Sequence, residues 1–202
     1  MAGFMAYKMA SYIRFVIWSP AHILILFLSM TIYNQDKEKI GNIISRYQLI
    51  AHPEGGWYKE TYRSRDILPS ASLSIRFKGD RHASTAIYFL LEQGNFSAFH
   101  RIQSDECWHF YAGGRLDIYV LHADKQLDII HLGPNPEKGE HFQYIVPAGC
   151  WFASRPASET AFSFVGCTVS PGFDFADFEL ADVQRLSAEY PDHAELIGEL
   201  CR

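Results

Sequence analysis

The sequence predicts a mainly β protein, a sandwich or barrel preceded by one helix and closed by two short ones. Three observations lead there. From Ser84 onward, short runs rich in β-branched and aromatic residues recur over 84–91, 97–102, 106–112, 115–122, 126–132, 141–147, 151–155 and 161–169. The breaks between them carry turn chemistry, as in Gln93-Gly94-Asn95, Ala123-Asp124-Lys125 and Gly133-Pro134-Asn135. Finally, 202 residues with 48% hydrophobic and 15% aromatic content are enough for one sizeable core and a single domain.

Taken in order, the chain opens with residues 1–34, whose composition differs from the rest. Residues 15–33 carry no formal charge and follow Lys8 and Arg14. That length and basic flank suit a membrane anchor, although Pro20 and His22 stand near its middle. Residues 35–202 form the expected single domain. Asp36 to Leu49 reads as a helix, because Ile40, Ile43, Ile44 and Tyr47 recur at three- and four-residue spacing with acids early and Arg46 late. His52-Pro53-Glu54-Gly55-Gly56 is a turn, and its expected role is backbone geometry. Trp57 to Arg63 alternates as a strand, and Ile67 to Lys78 is a loop followed by another strand. Gly79-Asp80-Arg81 makes the next turn. After the eight regular strands, Ala181–Tyr190 and His193–Leu200 read as short helices.

Several function classes fall away. A net charge of −5 with scattered Lys and Arg offers no basic stripe for nucleic acid. The four cysteines, Cys107, Cys150, Cys167 and Cys201, form no CxxC pair, so neither a zinc ribbon nor a dithiol redox motif is present. There is no GxSxG elbow, P-loop or GxGxxG before a helix.

The densest chemistry lies between Gly94 and Gly114. Ser97–Ile102 and Glu106–Ala112 read as two strands of a hairpin, with His100 and Glu106 facing each other across it. Strand alternation places Glu106, Trp108 and Phe110 on one face and Cys107, His109 and Tyr111 on the other. An imidazole beside a carboxylate can share a metal or move a proton.

The spacing of Gly94, His100, Ile102, Glu106 and Gly113 resembles the first cupin motif, and Pro147-Ala148-Gly149 resembles the core of the second. HPEGGWYKETYRS (His52–Ser64), STAIYFLL (Ser84–Leu91), VPAGCWFA (Val146–Ala153) and VGCTVSPGFDFADFEL (Val165–Leu180) are similar to the uncharacterised Cupin_5, or DUF985, family. The resemblance implies a double-stranded β-helix jelly-roll barrel with an N-terminal helix outside, and a homodimer. It also offers a second account of the N-terminus, since relatives begin much as MTIYNQDKEKIG does. On that account Met30 initiates and residues 1–29 are upstream sequence; on the other they belong to a real anchor. The location expected is cytoplasmic, or membrane-anchored in the second case.

For the site, the resemblance implies that His100 and Glu106 point into the barrel as the catalytic pair. The other two ligand positions of the cupin pattern hold Ile102 and Phe152, so no metal is expected; if one binds, His100 and Glu106 are its ligands, with His82, Gln143 or a buried acid as candidates to complete the set. Phe99, Trp108, Phe110, Trp151 and Phe152 are candidate walls for a ligand ring. Arg81, Ser84, Thr85 and Gln143 are candidate polar contacts, with Arg76 a further donor for an anionic group. Each also has an ordinary reading, as core filling or a solvated surface group. The segment Pro171–Phe178 is expected to close the barrel end or an interface. The function expected is a small-molecule pocket with isomerase- or epimerase-like chemistry on a sugar or sugar nucleotide. The alternative is a non-catalytic binding or sensor protein, and a metal-dependent dioxygenase is less favoured.

Overall fold

A computed structural model describes residues 20–202. The elements run α1 (Pro20–Tyr47), β1 (Ile50–Ala51), β2 (Trp57–Arg63), β3 (Ile67–Leu68), β4 (Arg81–His82), β5 (Thr85–Glu92), β6 (Ser97–Arg101), β7 (Asp105–Gly113), β8 (Leu116–Leu121), β9 (Leu127–Leu132), β10 (Gln143–Val146), β11 (Trp151–Pro156), β12 (Phe162–Ser170), β13 (Glu179–Leu180), α2 (Val183–Glu189) and α3 (Ala194–Leu200). The chain divides into two compact units, the boundary falling inside α1 between Lys37 and Glu38, and every element from β1 onward belongs to the second.

Each of the eight strands expected after Ser84 is present within two residues of its expected ends. Two expectations need correction. The helix expected from Asp36 is already present at Pro20, because the apolar run after Pro20 contains nothing that breaks a helix. Asp36 and Glu38 therefore lie mid-helix rather than in a first turn. Residues 15–19 of the apolar stretch fall outside the described residues, and among the described residues no helix is long and apolar enough to cross a membrane. The loop-then-strand order expected over 67–78 is reversed: the two-residue β3 stands at its start and pairs only with β4, and no strand follows before β4. Ile75 is fully exposed, so the alternation around it found no sheet to join.

Apart from the β3-β4 pair, the strands form two antiparallel sheets, in the orders β1-β2-β5-β12-β7-β10 and β13-β6-β11-β8-β9. They face each other as a jelly roll. Consecutive strands β6 and β7 lie in opposite sheets, so they are not the hairpin that the sequence suggests. His100 pairs in register with Phe152 and Leu180, whereas Glu106 pairs with Val146 and Val169. The two side chains face each other across the interior instead of along one ladder.

Period-two alternation decides what fills the inside. Phe89, Leu91, Trp108, Val165 and Cys167 from one sheet meet Leu116, Ile118, Val120 and Phe152 from the other. Each outer face has its own cover. Ile40, Ile43 and Ile44 of α1 pack with Leu90, Phe162 and Phe164 outside the six-stranded sheet, and Gln48, just past the end of α1, has φ +53°. Leu186, Ile197 and Leu200 of α2 and α3 pack with Phe99, Leu121 and Trp151 outside the five-stranded sheet.

Candidate functional site

A cavity of about 320 Å³ lies inside the barrel. Its lining follows from strand parity. Thr85 and Ile87 of β5, Cys167 and Val169 of β12 and Glu106 of β7 contribute from one sheet, and His100 of β6 from the other. Strand β2 adds Tyr58, Glu60 and Arg63, in register with Phe89, Ile87 and Thr85. A bulge between Glu60 and Tyr62 makes this possible. Without it, alternation would turn Tyr62 inward and Arg63 outward. Below His100 the interior is closed by aromatic rings: His100 to Phe152 at 4.1 Å, Trp108 to Phe152 at 6.3 Å and Phe89 to Trp108 at 6.0 Å between centroids.

The turn at 52–56 does more than shape backbone. His52 N donates to Gly56 O and Gly55 N to His52 O, both at 3.0 Å, and Gly55 has φ +116°. A Cβ at Gly55 would also collide with the Phe96 carbonyl. The tight turn aims His52 and Glu54 into the cavity. Glu54 is held on both sides, since Ser97 Oγ donates to its Oε1 at 2.9 Å and Ala98 N donates to its carbonyl at 2.9 Å.

The hydrogen bonds fix where protons sit. His100 Nδ1 lies 2.7 Å from Ala98 O. A carbonyl only accepts, so Nδ1 carries a hydrogen and Nε2 faces Glu54 Oε2 at 3.2 Å. If His100 is neutral, Glu54 must donate to it; if Glu54 is ionised, His100 must be charged. One proton is shared by the pair. His52 Nδ1 accepts from Glu54 N at 3.3 Å, which leaves Nε2 as the hydrogen-bearing nitrogen of the neutral ring.

Burial governs the charges. It lowers the pKa of His100, against the opposing pull of Glu106 and the Ala98 carbonyl, and it lowers that of His52. It raises Glu54, and it raises Glu106 to about 7, with His100 opposing the rise and Glu54 reinforcing it. The Cys167 thiol is driven well up by burial and by Glu106. A carboxyl that titrates near neutrality can take or give a proton at little cost.

A wall of Phe173, Phe175 and Phe178 completes the cavity. Phe178 stands 5.3 Å from the His100 ring and 6.3 Å from the His52 ring. Gly172 N donates to His82 O at 2.7 Å, Phe173 N to Thr85 Oγ1 at 2.9 Å and Arg63 Nη1 to Phe173 O at 3.2 Å. Farther along, Arg81 grips Asp177 with two bonds of 2.6 Å. At the mouth, Arg63 makes a two-pronged pair with Glu60 at 2.6 and 2.9 Å.

Of the residues expected at the site, His100, Glu106 and Thr85 line the cavity, and none of the others does. Phe99 and Trp151 lie on the outer face under α2 and α3. Trp108, Phe110 and Phe152 are inside but belong to the packed core. Arg81 is consumed by Asp177, Ser84 Oγ donates to Val169 O, and Gln143 is exposed beside His109. His82 Nδ1 bonds Ser64 O. Sequence reasoning missed His52, Glu54, Tyr58, Glu60, Arg63, Cys167 and the three phenylalanines. Their signal was present, since two of the blocks that carry the family resemblance contain His52 and Glu54 or the phenylalanine wall.

The usual cupin metal set does not fit. Two of its positions are the buried hydrocarbon side chains Ile102 and Phe152, which offer no donor atom to a metal. Among the described residues no group of three or more His, Cys, Asp and Glu is arranged to hold an ion.

Comparison with known proteins gives a consistent picture. The family model described as Cupin_5, Cupin superfamily (DUF985), matches residues 41–181. The uncharacterized protein YML079W of Saccharomyces cerevisiae is 32% identical over 144 residues, covering 67% of this chain and 71% of its own. A hypothetical protein from Leishmania major is similar in structure with TM-score 0.72 and 36% identity, over 78% of this chain and 96% of its own. Protein SO0799 from Shewanella oneidensis gives 0.71 and 40%, over 80% and 96%.

Proposed function

The chain belongs to the DUF985 (Cupin_5) family of the cupin superfamily, and from that footing we propose that its barrel binds a small polar organic molecule and exchanges a proton with it. The observation that carries the reading is the buried Glu106, titrating near 7 at the wall of a cavity that also holds His52, Glu54 and His100. The favoured substrate is a hydroxy-carbonyl compound such as a sugar, undergoing isomerisation or epimerisation. The cavity's volume of about 320 Å³ is at the small end for ligand sites, so the sugar part of a sugar nucleotide would fill it and the nucleotide would lie outside. In this proposal Glu106 removes the proton beside the carbonyl, His52 Nε2–H donates to the carbonyl oxygen, and the proton shared by Glu54 and His100 is available for return.

Deuterium exchange into candidate sugars in heavy water tests this, read by NMR together with thermal shift for binding. Glu106→Gln keeps the shape and hydrogen-bonding capacity but removes the base. Exchange should fall by about a hundredfold or more, with thermal stabilisation by the ligand retained. The second reading, a non-catalytic binding or sensor protein, is favoured by the sharing of one proton between Glu54 and His100, which is a closed internal pairing. It predicts stabilisation by a ligand with no exchange in the native protein, and loss of binding in His100→Ala.

A homodimer is proposed alongside. Tyr62, Tyr111 and Ile145, on the outer side of the six-stranded sheet, are 53%, 49% and 54% exposed, an apolar strip that a second copy would cover. Light scattering should give twice the chain mass, and Tyr111→Glu should halve it. A single-chain mass for the native protein would rule the pairing out.

A further inference from the structure

Outside the cavity, three side chains converge where the five-stranded sheet turns back. His122 follows β8, Asp128 stands on β9 across that hairpin, and Cys150 immediately precedes β11, whose Trp151 pairs with Leu121. Cys150 Sγ lies 3.8 Å from His122 Nδ1, and His122 Nε2 lies 2.9 Å from Asp128 Oδ2. The carboxylate only accepts, so it fixes the hydrogen on Nε2 and leaves Nδ1 bare toward the thiol. This is the order nucleophile, base, orienting acid, set by geometry and not by spacing in the chain. Burial and the nearby Asp105 push the Cys150 thiol up. It therefore rests as S–H donating to the imidazole, and its reactivity depends on the base at the moment of attack. The group is open to small reagents, since His122 and Asp128 side chains are 27% and 54% exposed and Cys150 is only partly buried.

We propose that Cys150, His122 and Asp128 form a thiol–imidazole–carboxylate relay that makes Cys150 the site of reversible exchange with small disulfides. As His122 Nδ1 takes the thiol proton, Cys150 Sγ attacks one sulfur of the disulfide. A new S–S bond forms while the old one breaks, and the departing thiolate recovers the proton from His122. One disulfide replaces another, so no outside oxidant is needed. Any free thiol runs the step backwards.

The test uses the full chain with glutathione disulfide, followed by intact mass and peptide mapping, and with a chromogenic aromatic disulfide for rates. The expected result is one fast-reacting thiol per chain, mapped to Cys150 and absent in Cys150→Ser. His122→Asn should slow it by about tenfold or more, and Asp128→Asn by less. Circular dichroism checks that each variant is folded; if His122→Asn is not, Asp128→Asn carries the comparison alone. Fast labelling at Cys107 or Cys201 instead, or a Cys150 rate that a folded base or acid variant leaves unchanged, overturns the proposal.

Discussion

Asp177→Ala should lower folding stability by about 3–5 kcal/mol, the range for removing one partner of a buried ion pair. Arg81 and Asp177 side chains are each 5% exposed and meet through two bonds of 2.6 Å. Alanine would leave the guanidinium buried with the Asp80 carbonyl and the face of Phe77 as its remaining contacts and the more distant charges of Asp174 and Asp80 as its remaining counter-charge. The loss is a desolvation effect, not the worth of the pair itself. Arg81→Met with Asp177→Leu should therefore recover most of the stability, and urea denaturation of the single and double variants measures both. A loss below about 1 kcal/mol for the single variant would place the pair in the range of solvated surface ion pairs. The pair also fixes the segment carrying Phe173, Phe175 and Phe178. Asp177→Asn, which preserves shape and some hydrogen bonding, should weaken ligand binding at a smaller cost to the fold.

How much of this was legible depends on what each feature rests on. Strands and their breaks were readable because alternation and turn residues are local. Sheet membership was not, because Gln103-Ser104-Asp105 serves equally well for a hairpin and for a crossing between sheets, and only tertiary pairing chooses. Some misplacements contradicted a rule already in hand. Phe99 neighbours His100 and Trp151 neighbours Phe152, so neither could share its neighbour's face, and parity alone sends Phe99 and Trp151 outward once His100 and Phe152 point in. The bulge that turns Arg63 inward left no mark in the alternation of Trp57–Arg63. His52 and Glu54 were hidden for another reason. Pro53, Gly55 and Gly56 explain a turn completely, and nothing local says that the two remaining side chains point at a cavity assembled from residues far along the chain.

The pH dependence of stability tests the charge state at the centre of the site. Glu106 is raised from the ordinary 4.5 to about 7. The folded chain keeps this proton up to about pH 7, while the unfolded chain releases it near 4.5. Between those values the unfolded state binds fewer protons, so stability falls as pH rises. At about 1.4 kcal/mol for each tenfold change in proton affinity, the cost reaches about 3 kcal/mol above pH 7 and vanishes below 4.5. Glu54 acts in the same direction. The two histidines act in the opposite one, since below pH 6.5 the unfolded chain takes up protons that the buried His52 and His100 resist. The native curve mixes these effects, and the difference between native and Glu106→Gln isolates one of them. Glutamine has no proton to lose, so the variant should gain on the native protein by about 3 kcal/mol between pH 4.5 and 8. A flat difference would mean that water or a counter-charge reaches Glu106. The base of the proposed reaction would then be ionised well below neutrality and too weak for the proton transfer assigned to it.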